Sequence, residues 1–308
     1  MGKRGSFRLM FAKETVLGID GGGTKTAFTL MDLDGNIVQS FRLAGSSFDT
    51  YSLREIKERF LEAKKQLVAT PIAVFAGIGG VLSVESKTKC NQLLREAFET
   101  EKVASDNDVV NALYGLNPNG EGIILIAGTG SVAYGKKGTK TWRSGGYCYQ
   151  EGDLGSSYDL GRKALQYLGK VLDARKKETP FSLALSKATG INDQIEFATF
   201  METVKRDQVA SLSQIVTAYE AEEEAKDIIT HAVSEVMLMI NAVYQKLDIK
   251  EAMPFGIVGG LGNADTLYRT LLLERIKKES PCLVVKDEPI DASKGSAYKA
   301  LEVARCNG

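Results

Sequence analysis

The sequence predicts an α/β fold arranged as two domains, and three observations support this prediction. A strand–turn–strand hairpin with a glycine-rich turn occurs at residues 17–31 and again at residues 123–135. Stretches with apolar residues at three- and four-residue steps alternate with short apolar runs, as expected for helices that alternate with buried strands. The chain of 308 residues is long enough for two domains, and an Asn-Pro-Asn-Gly breaker cluster at residues 117–120 separates the two halves.

The predicted elements follow from hydrophobic periodicity and turn residues. In the first half, strands are predicted at 16–20, 27–31, 37–43, 72–76 and 103–105, and helices at 52–68 and 86–99. An Asp-Gly-Asn turn at 34–36 is expected to join two of these strands. In the second half, one or two long helices are predicted within 213–247, further helices at 264–278 and 293–304, and strands at 253–258 and 282–286. The domains are therefore predicted as residues 1–118 and 119–292.

Composition restricts the class of protein. Hydrophobic residues make up 44% of the chain and charged residues 25%, which is typical of a soluble globular protein. The 39 basic and 39 acidic residues balance, so net charge indicates neither nucleic acid nor a membrane surface as a partner. No apolar run approaches the roughly 20 residues that span a bilayer, and residues 1–13 read as a ragged tail without a signal-type cleavage pattern. The four cysteines lack C-x-x-C spacing, which favours reduced thiols, and we expect a cytoplasmic protein.

The first hairpin carries the residue types of a phosphate site. Its turn contains Gly22, Gly23, Thr24 and Lys25, whose backbone N–H groups can surround an anionic phosphate. Asp20 ends the preceding strand, where its carboxylate could hold Mg²⁺, directly or through water, beside the phosphates. An ordinary tight hairpin, in which the glycines only supply positive φ, is the alternative interpretation.

The second hairpin repeats this arrangement with Gly128, Thr129, Gly130 and Ser131. Two such turns in one chain favour a triphosphate bound with contributions from both domains. Neither turn is a Walker A loop, and neither is a Gly-x-Gly-x-x-Gly turn that leads from a strand into a helix.

Asp106 is the candidate general base. It follows a short apolar strand and precedes a helix, which is the position where ligands of α/β folds usually bind. There it could accept a proton from a hydroxyl group as that oxygen attacks the γ-phosphorus. A simple N-cap is the alternative role for Asp106, and Asp108 is a rival acid that is better placed to cap the helix.

Four segments together resemble those of a known family. They are the two hairpin turns, the stretch at 144–156 (Ser-Gly-Gly-Tyr through Gly-Asp-Leu-Gly-Ser) and the stretch at 255–261 (Phe-Gly-Ile-Val-Gly-Gly-Leu). In this order and spacing, the chain is similar to the N-acetylglucosamine kinase and BadF/BadG-type ATPase family of the sugar kinase, Hsp70 and actin superfamily. The resemblance runs through nearly the whole chain.

The resemblance implies the fold in more detail, together with the cofactors. It implies two ribonuclease H-like (actin-like ATPase) domains with a nucleotide and sugar cleft between them, and a C-terminal helix at 293–308 that joins the first domain. ATP and Mg²⁺ are the implied cofactors, with Gly259 and Gly260 at the adenosine, and a homodimer is the implied assembly. Asp106 matches the position of the catalytic aspartate.

The resemblance also implies a set of sugar contacts. They are expected from the ends of strands and from flexible turns, at Ser47, Asp49, Gly79, Asp106, Thr129, Ser131, Gly145, Gly146 and Asp153. Because Asp153 lies between two glycines, it is expected to be exposed on a turn, where a plain turn residue is the alternative. Leu154, Tyr147 and Cys148 replace the family's usual glutamate, tryptophan and glycine, so the identity of the sugar stays open.

Three functions are therefore considered. The first is ATP-dependent phosphorylation of an amino sugar at its 6-hydroxyl, with N-acetylglucosamine, N-acetylmuramic acid or glucosamine as the acceptor. The second is a BadF/BadG-type ATPase that activates a partner enzyme, although Cys90 and Cys148 do not form the pattern that holds an iron–sulfur cluster in such activators. The third is a sugar or nucleotide sensor without turnover, which the loss of the glutamate at Leu154 would suit.

Overall fold

The computed structural model describes residues 14–147, 149 and 153–306. The predicted N-terminal tail at 1–13 lies outside these residues, as do Cys148 and Gly152 of the stretch at 144–156. The chain divides into two compact units, of which one comprises Met1–Gly120 and Asp291–Gly308 and the other comprises Glu121–Ile290.

The first part of the chain alternates strands and helices. In chain order the elements are β1 (Thr15–Gly21), β2 (Lys25–Asp32), β3 (Ile37–Ala44), α1 (Leu53–Gln66), β4 (Pro71–Ile78), α2 (Val84–Phe98), β5 (Val103–Asp106) and α3 (Val109–Leu116). Each strand and helix predicted in this half is present, displaced by at most a few residues at its ends. The Asp-Gly-Asn turn is confirmed as well, because Gly35 has φ +89° and the carboxylate of Asp32 accepts the Asn36 amide at 2.8 Å.

The second part begins with a hairpin and then becomes helical. Its elements are β6 (Gly122–Ala127), β7 (Ser131–Lys137), β8 (Lys140–Gly145), α4 (Ser157–Leu172), α5 (Pro180–Thr189), α6 (Gln194–Thr203), α7 (Arg206–Ser211), α8 (Ser213–Ala218), α9 (Glu223–Lys246), β9 (Met253–Val258), α10 (Gly260–Asn263), α11 (Leu267–Glu279), β10 (Leu283–Val285) and α12 (Ala292–Arg305). None of the helices in the described part of the chain has both the length and the hydropathy of a membrane-spanning segment.

The two sheets share one topology. Their strand orders are β3-β2-β1-β4-β5 and β10-β9-β6-β7-β8. In each sheet the first three strands in chain order form antiparallel pairs. The fourth strand pairs in parallel with the first, and the fifth pairs in parallel with the fourth. The predicted α/β fold is confirmed, and the repeat noticed as two glycine-rich hairpins is a repeat of the whole sheet.

In the first unit, helices cover both faces of the sheet. Ile56 and Phe60 of α1 pack with Leu17 and Phe28 on one face. On the other face α12 lies directly on β1, since a Cβ atom added to Gly18 would overlap the backbone of Ala297. This close approach fixes β1, and with it the position of the turn that follows.

The second unit adds a strand that was not predicted and fixes the number of helices in its long helical region. Strand β8 was not predicted, because its residues are largely exposed and carry no alternation of apolar and polar side chains. The one or two helices predicted at 213–247 are two, α8 and α9, separated at residues 219–222. The longer of them, α9, contributes its buried face to a core that also includes α4 and the sheet.

Candidate active site

The first glycine-rich turn presents free backbone donors. Gly22 donates to the carbonyl of Lys25 at 3.0 Å, and the Gly22 carbonyl accepts from the Ser46 amide at 3.0 Å. Gly23 and Thr24 are exposed, and their amides have no acceptor among the residues that the structure describes. The turn is thus held from within its unit through its carbonyls, while two adjacent N–H groups stay available to an anion.

Asp20 lies beside this turn, and its environment disfavours the charged form. Burial raises the pKa of its carboxyl to about 6, and the carboxylates of Asp108 and Asp291 add to the rise. Two groups oppose this rise, namely the Asn111 amide, which donates to Oδ1 at 2.6 Å, and the more distant charge of Lys25. Asn111 is the only hydrogen-bond donor to this carboxylate among the described residues.

Such a carboxylate fits the role of a single Mg²⁺ ligand. A cation would relieve both the desolvation and the repulsion that raise the pKa of Asp20. Within the described ranges, no three Asp, Glu, His or Cys side chains converge as a metal cluster. Mg²⁺ in nucleotide sites is commonly held by one or two carboxylates plus phosphate oxygens and water, so Asp20 alone suffices on the protein side.

Asp106 lies in the same row of the sheet as Asp20. Strand register pairs Asp20 with Gly77 of β4, and pairs Gly77 in turn with Asp106 of β5. The two acids are therefore two strands apart, about 10 Å between Cα atoms, at the carboxyl ends of parallel strands. The Asn111 amide also donates to the Gly77 carbonyl at 2.9 Å and so fixes the residue between them.

Two donors hold the Asp106 carboxylate. Lys87 of α2 forms an ion pair with Oδ2 at 2.8 Å, and the Asn107 amide donates to Oδ1 at 2.8 Å. The alternative of an N-cap role for Asp106 is wrong, because Asp108 occupies the N-cap position of α3 and its side chain makes no capping hydrogen bond. The Asp106 side chain is one-third exposed, which leaves it accessible to a ligand.

The predicted sugar residues of the first unit lie together. Ser47 is buried, and its hydroxyl donates to the Gly79 carbonyl at 3.2 Å and accepts from the Asp49 amide at 3.3 Å. Asp49 is exposed and lies against Gly80, which has φ +84°. Because the Ser47 hydroxyl is already engaged within the loop, Asp49 is the better placed of the two to contact a ligand.

The second glycine-rich turn is fixed by the start of α4. Gly128 donates to the Gly130 carbonyl at 3.0 Å, and the amides of Ser157 and Tyr158 donate to the carbonyls of Gly128 and Thr129 at 2.8 and 3.3 Å. As in the first unit, the turn is anchored through its carbonyls, so that the N–H groups of Thr129 and Gly130, which have no acceptor among the described residues, can face an anion.

Asp153 is buried, and the expectation that it is exposed on a turn is wrong. Only 6% of the residue is accessible, and it adopts φ +57°. Its Oδ1 accepts from the Ser131 amide at 3.2 Å, and its Oδ2 forms an ion pair with Arg206 at 2.5 Å. The flanking glycines suggested mobility, whereas this ion pair and hydrogen bond hold the carboxylate in place.

A shallow depression of about 220 Å³ is lined by Asp153 and by other residues of the stretch at 144–156. Gly145 and Leu154 line it, together with Glu235 and Met239 of α9. Gly145 and Gly146 have φ of +77° and +67°, a region that favours glycine. The predicted contacts Gly145 and Asp153 therefore lie on one surface, and Leu154 adds an apolar side chain to it.

The stretch predicted to contact adenosine lies next to the second turn. Gly259 has φ +112°, and a Cβ atom added there would be 2.8 Å from the Gly128 amide nitrogen. A Cβ atom added to Gly260 would meet open space. The Asn263 side chain donates to the carbonyls of Ile257 and Gly259 at 3.1 and 3.2 Å and holds this bend. The register of β6 with β9 brings the two segments together.

Three residues of the site were missed from the sequence, namely Asn111, Lys87 and Arg206. Each acts through a contact with a distant part of the chain, on Asp20, Asp106 and Asp153 respectively. Only Asn111 could have been found from the sequence, because it is a polar residue in the otherwise apolar helix that follows Asp106.

Comparison with known proteins gives relatives that match nearly the whole chain. The chain is 30% identical to an N-acetylmuramic acid/N-acetylglucosamine kinase of Clostridium acetobutylicum, over 94% of this chain and 98% of the relative. It is 27% identical to an N-acetyl-D-glucosamine kinase of Dictyostelium discoideum, again over 94% and 98%. The crystal structure of a Chromobacterium violaceum protein assigned as an N-acetylglucosamine kinase shares the fold, with a TM-score of 0.75, 23% identity and coverage of 95% and 99%.

A model of the BadF/BadG/BcrA/BcrD ATPase family matches residues 17–297 of this chain. The matched range includes both hairpins, Asp106 and the bend at Gly259. This chain therefore belongs to the BadF/BadG/BcrA/BcrD ATPase family.

Proposed function

We propose that the protein is an ATP-dependent kinase that phosphorylates an amino sugar at its 6-hydroxyl. N-acetylglucosamine or a close analogue, such as N-acetylmuramic acid or glucosamine, is the proposed acceptor. The names of the two curated relatives support this class of substrate. The observation that carries the proposal is the placement of Asp20 and Asp106 in one row at the carboxyl ends of β1 and β5.

In this proposal the two glycine-rich turns bind the phosphates of ATP. Gly22, Gly23, Thr24 and Lys25 contribute from the first unit, and Gly128, Thr129 and Gly130 from the second. Gly259 and Gly260 leave room for the adenosine. Asp20 holds Mg²⁺, which neutralises phosphate charge when bound.

Asp106 is the proposed base. It accepts the proton of the sugar hydroxyl while that oxygen bonds to the γ-phosphorus, and the bond from the γ-phosphorus to the β,γ-bridging oxygen breaks to release ADP. The ion pair with Lys87 orients the carboxylate. Sugar contacts are proposed in the first unit for Asp49, Ser47 and Gly79, and in the second unit for Thr129, Ser131, Gly145, Gly146 and Asp153. A cytoplasmic homodimer completes the proposal, as the family resemblance implies.

The activator function is the second candidate, because the family resemblance implies it as the alternative to a kinase. An activator of that kind needs cysteines at a subunit interface to hold its cluster. Cys90 is fully buried in the core of the first unit, which makes it unavailable for such a role. This observation favours the kinase.

The test is coupled ADP release with Mg²⁺ and ATP against a panel of sugars. The panel contains N-acetylglucosamine, N-acetylmannosamine, N-acetylmuramic acid, glucosamine and glucose. We expect one or more amino sugars to stimulate ADP release, and Asp106→Asn to lower kcat by 100- to 10,000-fold, the usual range for loss of a general base. Asp108→Asn, two residues away, is the matched control and should lower kcat far less. ADP release that is independent of sugar and equal in all variants would overturn the kinase proposal and favour an ATPase or a sensor.

A further inference from the structure

The second unit contains a cavity that has no role in the reaction proposed above. Its volume is about 820 Å³, within the range of small-molecule sites. The row Tyr158, Arg162, Gln166 and Lys170, spaced four residues apart, gives one wall from α4. Phe197 and Met201 of α6 give an apolar wall.

The charged residues that line this cavity are all basic. Its basic lining residues are Arg162, Lys170, Arg175 and Arg206, and no acidic residue lines it in the described part of the chain. Three of these cations have an acidic partner outside the lining, since Arg162 pairs with Asp159, Arg175 with Asp173 and Arg206 with Asp153. Lys170 forms no ion pair with any residue that the structure describes, so the cavity has an excess of positive charge.

Arg206 connects the cavity to the proposed acceptor site. Its Nη2 binds Asp153, and a Cβ atom added to Gly130 of the second turn would be 3.0 Å from the same nitrogen. A guanidinium group has five N–H donors, and the Asp153 pair uses only part of this fork. Tyr158, another lining residue, donates its amide to the Thr129 carbonyl. A ligand in the cavity therefore adjoins the residues proposed to bind the sugar.

We propose that this cavity receives an acidic substituent of the sugar, so that the preferred acceptor is an amino sugar that carries a carboxylate. This inference rests on the proposed function. The remaining donors of Arg206 and the ammonium group of Lys170 suit a carboxylate, and Phe197 and Met201 suit the carbon chain that carries it. N-acetylmuramic acid has this chemistry, whereas N-acetylglucosamine is its neutral counterpart without the acidic arm.

The experiment compares kcat/KM for these two sugars in the wild-type protein, in Lys170→Met and in Lys170→Met/Arg175→Met. Lys187→Met is the control, because Lys187 is exposed on α5 and lines no part of this cavity. We expect the wild-type protein to prefer the acidic sugar. In Lys170→Met the ratio of kcat/KM for the acidic over the neutral sugar should fall by roughly three- to fivefold, the effect of one partly exposed charge pair. It should fall further in the double variant and stay unchanged in Lys187→Met.

The outcomes separate the two proposals. Turnover of the neutral sugar without turnover of the acidic one would overturn the cavity assignment and leave the kinase intact. A ratio that is the same in the wild-type protein and in both cavity variants would overturn it as well. If neither sugar stimulates ADP release, the kinase proposal fails and the cavity assignment fails with it.

Discussion

The side-chain amide of Asn111 donates to Oδ1 of Asp20 at 2.6 Å. Among the residues that the structure describes, it is the only hydrogen-bond donor to this half-buried carboxylate. Asn111 itself is fully buried, and the same amide donates to Gly77. The proposed metal ligand therefore depends on a residue of α3, a helix that begins just after the proposed base.

Removal of this hydrogen bond should shift the pH dependence of the reaction. In Asn111→Leu the pKa of Asp20 should rise from about 6 by roughly one to two units, because a hydrogen bond to a charged group contributes about 1.5–3 kcal/mol. The acidic limb of kcat/KM against pH should move upward accordingly, with activity partly recovered at pH 8 to 9. Urea unfolding, measured in parallel, separates this shift from a loss of folded protein. An unmoved acidic limb would contradict the role given to Asn111.

Asp20 should also make the metal-free protein less stable at higher pH. Its folded-state pKa of about 6 lies above the ordinary value of 3.8, so its contribution to stability is complete below about pH 4 and is lost as pH rises through 6. The loss is at most about 3 kcal/mol at pH 8, since each pKa unit corresponds to about 1.4 kcal/mol.

Asp20→Asn removes this titration. Without Mg²⁺, the variant should unfold at a higher urea concentration than the wild-type protein at pH 8, and the difference should vanish near pH 4. Added Mg²⁺ should narrow the gap at pH 8 by stabilising the wild-type protein alone. Identical unfolding curves at pH 8 in the absence of metal would show that the Asp20 carboxylate carries no such penalty.

Lys87 should act as a positioning residue for Asp106. Lys87→Met removes the ion pair at 2.8 Å, so the carboxylate is no longer held toward the hydroxyl group, and kcat should fall roughly 10- to 100-fold with a smaller change in KM. Lys89→Met is the matched control, because Lys89 lies on the same helix and, within the described part of the chain, forms its ion pair with Glu85 alone. Equal kcat values for the two lysine variants would remove Lys87 from the mechanism.

The sequence was informative where function depends on local pattern. The ends of β1 and β5 were predictable from short apolar runs, and parallel strands bring such ends to one edge of a sheet, so Asp20 and Asp106 could be proposed from the sequence. The partners of these acids were not predictable. Asn111 and Lys87 reach them from helices whose packing depends on the whole unit, and no short-range signal records that packing.

Asp153 is a second case in which a tertiary contact could not be predicted from the sequence. Two neighbouring glycines correctly indicated an unusual backbone, which is the φ of +57°. They could not indicate that Arg206, far along the chain, covers the carboxylate. Local composition thus predicted the turn, while the burial of the turn depended on a tertiary contact.

The Arg206–Asp153 pair yields the last prediction. Arg206→Met leaves a nearly buried carboxylate without its cation, and should lower the free energy of unfolding by about 1–3 kcal/mol, less than for a fully buried pair because the Arg206 side chain is 41% exposed. Asp153→Asn in the same chain should restore most of this stability, because the amide carries no charge that needs a partner. Urea unfolding of the two single variants and the double variant gives the coupling energy of the pair. If Asp153 binds the sugar, KM for the neutral N-acetylglucosamine should stay high in the double variant although stability returns, and recovery of both together would assign the pair a purely structural role.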